Sequence, residues 1–383
     1  MKKILKYLLI IFVALNLLII ITGKNWVYKG ISITYLKGYT SSYINDFVHF
    51  PADTIDAGVY QEWGIPTDYN KKELPNFIKP INDSLETIAF MVIIDDSIKY
   101  EQYWDGYSSD TMSNSYSISK SFVSTLIGVA IKEGKIKSIN QKVCAFLPDF
   151  CQGENTELTI KNLLTMSAGL NWIEDYYNPI GQTAESYYSS DLKELMMGLK
   201  VVETPGEVFK YQSACSQLLA FVLEEAVQKT ISEYASEKLW KPMGAKHPAL
   251  WSTDIKGGNE KGFCCINSNA RDFARLGKLY LHNGSWNGNQ ILDSSYTKEA
   301  TSAANLVDED GNKNINYGYQ FWICQYKEMS IYYARGLWGQ YIICIPDKNM
   351  IIVRLGKKYG NHLEDGHYDD FYTYIDAALE MYP

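Results

Sequence analysis

The chain has 383 residues, 46% of them hydrophobic and 21% charged, a globular composition long enough for one large domain or two intimate ones. Its net charge of −8, with no concentrated basic stretch, excludes nucleic acid as the main partner, because neutralising phosphates needs a basic surface.

At the N-terminus, "MKKILKYLLIIFVALNLLIIITGK" puts Lys2, Lys3 and Lys6 ahead of an apolar run from Tyr7 to Thr22 broken only by Asn16. This is the pattern of a membrane-targeting segment. The run falls slightly short of the ~20 residues of a spanning helix, yet no small-x-small cleavage site follows it. Residues 1–23 are therefore read as an uncleaved signal anchor, with a cleaved signal peptide as the alternative. Either form leaves the rest of the chain in the periplasm or outside the cell.

Residues 24–80 are rich in Tyr, Asp, Pro and Gly with weak periodicity and read as an irregular lead-in without chemistry of its own. The main domain is expected over 81–383. It begins with "TIAFMVIIDDSIKYEQYW", an apolar run, a turn and an alternating run, the pattern of a hairpin. Apolar residues at Val123, Leu126, Ile127, Ala130 and Ile131, with Gly134 just beyond, predict one helix over 117–133. Helical patterns fill about 155–250. Strands return in "NYGYQFWICQY", "IYYARG", "QYIICI" and "MIIVRL", and "YDDFYTYIDAALEMY" closes the chain as a helix. This order predicts an α/β (α+β) fold whose antiparallel sheet is assembled from both ends, flanked by helices, with an all-helical region inserted.

The chemistry centres on Ser117 and Lys120. At i and i+3 of a helix the two side chains share a face, so the amine reaches the hydroxyl. A serine in the first turn also holds its N–H at the positive end of the helix, and burial lowers a lysine pKa toward that of a base. Spacing alone does not choose this pair, since Ser190 with Lys193 and Ser295 with Lys298 match it. Only Ser117 stands between a strand hairpin and a long, largely apolar helix. There is no Gly-x-Ser-x-Gly elbow, and the five histidines have no partner context, so a serine hydrolase here would use lysine or tyrosine as base. In "PGEVFKYQS", Tyr211 lies at a strand-to-helix junction where its phenol could face a cleft, although the chain holds 30 tyrosines. "HLEDGHYDD" reads as a solvated loop and "GVAIKEGK" misses the phosphate-loop spacing, so no metal and no cofactor is assigned. Of seven cysteines, most read as buried small apolar residues, while Cys144 and Cys151 flank "AFLPDF" at a spacing suited to closing a short loop.

Taken in order, "YSISKSF", "LTIKNLLTMSAGLNW", "PGEVFKYQS", "NARDFARLGKLYLHNGSWNGNQIL" and "YYARGLWGQYIICIPDKNMIIVRLG" resemble the serine β-lactamase and penicillin-binding-protein superfamily. The resemblance is to its class-C-like branch of esterases and 6-aminohexanoate-dimer hydrolases and runs from about residue 85 to the C-terminus. It implies Ser117 as the acylated nucleophile, Lys120 as the group sharing its proton and Tyr211 as the relay to the leaving group. Ser213 would contact Lys120 or substrate. The third box falls on Leu337, Trp338 and Gly339, with Trp338 and Gly339 lining the pocket and the N–H of Gln340 joining that of Ser117 as oxyanion donors. Leu337 departs from the cation that β-lactamases and D-alanyl-D-alanine peptidases carry there, and Arg335 is the nearest substitute. Trp172 and Glu174 read as a packed indole and a solvated carboxylate. The expectation is a membrane-anchored hydrolase of a small ester, linear amide or peptide-like substrate. Cell-wall chemistry by a D,D-peptidase or β-lactamase and a non-hydrolytic sensor are the alternatives.

Overall fold

The computed structural model describes all of residues 1–383. Its main sheet has six antiparallel strands in the spatial order Ser97–Tyr103, Thr87–Ile94, Met350–Gly356, Gln340–Ile345, Met329–Gly336 and Trp322–Tyr326. Two strands precede the helix that begins at Ser117 and four come from the C-terminal part, so both ends of the domain build one sheet as expected. Strand Thr87–Ile94 is an unbroken apolar run from Ile88 onward because both of its faces are covered.

Side chains alternate across this sheet and sort the helices onto its two faces. Ile342, Cys344 and Ile351 meet Gly277 of helix Ala270–Leu281, while Tyr333 and Tyr341 pack on Phe371 of the opposite helix, Asp369–Met381. Helix Ile118–Lys132 lies beside Ala270–Leu281, joined by Thr125 and Tyr280 hydroxyls 3.1 Å apart. Its long apolar stripe is buried against helix Ser213–Val227 on another side. On a further side Gly128 lets the segment at Leu292 and Tyr296 approach closely, since a Cβ at that position would collide with both.

A second sheet orders Ala52–Ile55, Ala249–Ser252, Ile266–Ser268 and Ser113–Asn114. Its last strand delivers the chain into Ser117. The first strand corrects the view of residues 24–80 as irregular, because this segment holds helix Trp26–Ile33 and strand Ala52–Ile55. Tertiary docking orders it more than its own pattern does. Asp46, fully buried, accepts the Tyr187 hydroxyl at 2.8 and 2.9 Å, and burial pushes its carboxyl up to about 7.

Helix Lys2–Ile21 has a mean hydropathy of 2.8 and no buried residue, and is long and apolar enough to cross a membrane. Cys144 pairs with Cys151, closing the short loop. Cys264 and Cys265 pair with each other, which the reading of most cysteines as small apolar residues missed; Cys215, Cys324 and Cys344 are free and buried. His367, expected in a solvated loop, is buried with Nδ1 2.6 Å from the Tyr333 hydroxyl, and burial drops its pKa to about 4.

Candidate active site

Tyr116 takes a positive φ of 47°, turning the chain sharply from strand Ser113–Asn114 into the helix whose N-cap is Ser117. A serine at an N-cap ordinarily spends its oxygen on the N–H groups of the first turn. Ser117 makes no such capping bond. Its Oγ instead lies 3.0 Å from Lys120 Nζ, one turn along the same face. The two look-alike pairs, Ser190 with Lys193 and Ser295 with Lys298, are exposed.

Lys120 is 1% exposed, and its Nζ also donates to the Phe263 carbonyl at 2.6 Å. Burial lowers its pKa to about 8, against the opposing charge of Glu174. Once neutral, an amine held by that carbonyl through one N–H has its lone pair free for the serine proton. The next two residues fix the Phe263 carbonyl in place, since Cys264 and Cys265 are joined and Cys265 N–H donates to the Tyr116 carbonyl at 3.3 Å.

Tyr211 comes to the same point, with Lys120 Nζ 5.4 Å from its ring centroid and the Trp322 ring stacked at 5.6 Å. Burial first, then the charge of Glu174, pushes its phenol well above the ordinary range, while the neighbouring Ser117 hydroxyl and Arg335 pull it back. Tyr211 therefore stays a neutral phenol at working pH. Arg335 lays its guanidinium on Trp322, 3.5 Å from the ring centroid, and donates to the Gly366 carbonyl at 3.0 Å.

Glu174 is not a solvated carboxylate. It accepts four hydrogen bonds, from Trp172 Nε1 at 2.7 Å, the Tyr176 hydroxyl at 2.6 Å, Ser213 N–H at 2.7 Å and Ser213 Oγ at 2.6 Å. Ser213 is thus committed to Glu174 rather than to Lys120. The loop carboxylate becomes the charged neighbour of both Lys120 and Tyr211, and only the pairing of Trp172 and Glu174 in "GLNWIE" hinted at it.

The strand Met329–Gly336 ends by passing over Ser115, so closely that a Cβ at Gly336 would collide with the Ser115 carbonyl oxygen. The turn Leu337–Gly339 comes next, and Gln340 pairs opposite Gly336. Buried Arg354 organises this turn, donating to the Trp338 and Gly339 carbonyls at 2.9 Å each and to Leu85 at 3.0 Å. Nothing in the sequence pattern singled it out.

A cavity of about 530 Å³ opens above Ser117. Trp26, Ile31, Ile180, Phe263, Leu337 and Trp338 are among its apolar lining, and no Asp, Glu, Lys or Arg side chain lines it. Ser117 N–H and Leu337 N–H donate to no protein acceptor, and both residues line the cavity.

A family model described as Beta-lactamase matches residues 74–371. The chain belongs to the beta-lactamase family. It is a serine hydrolase of that family, with amide and ester hydrolases among its neighbours. The 6-aminohexanoate-dimer hydrolase of Paenarthrobacter ureafaciens is 25% identical over 316 residues, spanning 76% of this chain and 79% of its own. A Bacillus anthracis structure provisionally named a 6-aminohexanoate-dimer hydrolase superposes with a TM-score of 0.74 at 21% identity, over 93% of this chain and 94% of its own. A family VIII carboxylesterase superposes with a TM-score of 0.62 at 17% identity, over 80% and 95%.

Within this beta-lactamase-family fold, two expected site residues lie elsewhere. Gly339 packs against Arg354, where a Cβ would strike the guanidinium, and does not line the cavity. Gln340 is fully buried in the sheet, its side-chain amide held by the carbonyls of Leu337, Trp338 and Gly356 at 3.0, 3.1 and 2.6 Å. The cause is register, because the three-residue turn carries Gly339 and Gln340, though not Trp338, away from the cavity above Ser117. Trp338 does line the cavity, stacked on Tyr359 at 5.2 Å and donating from Nε1 to the Ser42 carbonyl at 2.9 Å.

Proposed function

We propose that this chain is a membrane-anchored serine hydrolase that cleaves neutral esters or linear amides through an acyl-enzyme on Ser117. Neutral Lys120 takes the Oγ proton as the bond from Oγ to the substrate carbonyl carbon forms. The negative oxygen that develops is met by the N–H groups of Ser117 and Leu337, the latter in place of Gln340. Tyr211, kept protonated by burial, relays the proton from Lys120 to the leaving alkoxide or amine as the carbon–oxygen or carbon–nitrogen bond breaks. Water then attacks the acyl-serine ester, gives its proton to the same base, and releases the acid with Oγ–H restored.

The observation that carries this reading is an uncapped serine hydroxyl 3.0 Å from a buried lysine whose pKa has dropped to about 8. The preference for neutral substrates is supported by the absence of charged side chains from the cavity, by Leu337 at the position of the family cation, and by the engagement of Arg335 with Trp322 and Gly366. The names of the amide-hydrolysing Paenarthrobacter relative and the carboxylesterase support linear amides and esters. Anchoring is supported by helix Lys2–Ile21, and the periplasm or cell exterior by its lysine flank.

The test is intact mass of the full chain in detergent after treatment with a fluorophosphonate or a penicillin. A fluorophosphonate adduct that is absent from Ser117→Ala is expected, and no adduct on the parent chain would overturn the reading. A stable penicilloyl adduct would move the assignment to cell-wall chemistry or to sensing.

A further inference from the structure

The cavity above Ser117 has a wall that the main domain does not supply. Trp26, Val27, Gly30, Ile31 and Thr34 repeat at helical spacing and turn one face of helix Trp26–Ile33 into it. That helix begins a short turn after the end of the apolar helix Lys2–Ile21. Two contacts fix the junction. The Tyr28 hydroxyl donates to Asn16 Oδ1 at 2.7 Å, and Lys24 Nζ donates to the Ile180 carbonyl at 3.3 Å while lying 3.7 Å from Glu185.

Loop 176–180, tied down by Lys24, forms the rim. Three apolar lining residues face outward there, with Ile31 38%, Ile180 57% and Tyr177 87% exposed. Exposed apolar side chains at the mouth of a cavity without charged side chains are surface that an aqueous polar substrate does not need. Its place beside a segment able to cross a membrane sets it at the lipid–water boundary, where an apolar rim is already solvated by lipid.

We propose that the cavity receives the acyl chain of an amphiphile drawn from the same bilayer that holds helix Lys2–Ile21, with its ester or amide carbonyl delivered to Ser117. This inference rests on the hydrolase reading above and adds the substrate class and its source. Chemistry is unchanged: the acyl carbon passes from the leaving alcohol or amine to Ser117 Oγ and then to water. The 530 Å³ volume lies in the range of ligand sites that enclose most of a small molecule, and a chain entering it replaces lipid neighbours with Trp26, Val27 and Ile31.

The test uses the full chain in phosphatidylcholine vesicles. With p-nitrophenyl esters from acetate to octanoate, kcat/KM is expected to rise about fourfold per methylene. Partitioning into the vesicle also favours longer chains, so the deciding comparison is with Val27→Asp and, at the rim, Ile31→Glu. Each is expected to flatten the rise while still being labelled at Ser117 by a fluorophosphonate. A full rise in both labelled variants overturns the inference. In the second arm, p-nitrophenyl palmitate dissolved in the protein's own vesicles is expected to be cleaved at least tenfold faster than the same ester in separate vesicles, and equal rates overturn the bilayer as its source. Ser117-dependent cleavage of the acetate with no gain from chain length sinks this inference and leaves the hydrolase standing. No cleavage of any ester sinks both.

Discussion

On the main-domain wall of the cavity, polar groups are fixed by named partners: Lys120 by Ser117 and Phe263, Ser213 by Glu174, the turn after Gly336 by Arg354. On the wall formed by residues 26–42, Trp26, Val27 and Ile31 line the cavity beside uncharged hydroxyl residues such as Thr34 and Ser42, and one hydrogen bond, from Trp338 Nε1 to the Ser42 carbonyl, ties it to the hairpin. Moving a proton needs donors and acceptors held to within tenths of an ångström, whereas sorting apolar substrates needs only volume and the absence of charge. Variants of the first wall should fail by orders of magnitude in rate on every substrate, whereas variants of the second should fail selectively on long-chain substrates or lose stability.

The largest effect that contrast predicts is Ser117→Ala, which should lower kcat on a short neutral ester by about 10³-fold or more, read by steady-state hydrolysis. Retained turnover would move the chemistry off this wall. Next is pH. In the proposed mechanism Lys120 acts as the neutral amine, and burial has lowered its pKa to about 8, so activity should rise with pH and fall about tenfold per unit below that value. A flat profile from pH 6 to 9 would remove Lys120 as base. Smaller again is Glu174→Gln. The charge of Glu174 favours the ammonium form of Lys120, so its loss should move the rising limb to lower pH, where a merely structural loss would lower the plateau and leave the limb in place. The smallest belongs to the second wall. Trp338→Phe removes the Ser42 bond, worth about 1 kcal/mol net, and should lower Tm by about 2 °C and speed proteolysis near residues 38–44.

The legible parts of this molecule were those whose cause is local. Ser117 and Lys120 are three residues apart on one helix, and the apolar stripe that buries Lys120 is written in the same fifteen residues. Strands such as "QYIICI" and "MIIVRL" showed themselves because apolar runs bounded by turns have few other uses. What escaped was set by partners distant in sequence. A lone carboxylate in "GLNWIE" does not reveal four donors, two of them from a residue 39 positions away. Gln340 and Gly339 were misplaced because the length of a hairpin turn fixes which residue is the last to face the serine, and "RGLWGQ" admits more than one register. The lead-in hid its helix and strand because neither is stable alone; both are ordered by docking, as the burial of Asp46 against Tyr187 shows.

Gly336 carries the last consequence. Since a methyl group at that position would occupy the space of the Ser115 carbonyl oxygen, the separation between the N–H of Leu337 and that of Ser117 is set by a missing atom. Residue 337 can exchange its side chain and retune what the cavity accepts. Residue 336 has no such freedom, because any addition there acts as a shim that pries the sheet away from the helix and spreads the two donors that the proposed mechanism closes on one oxygen.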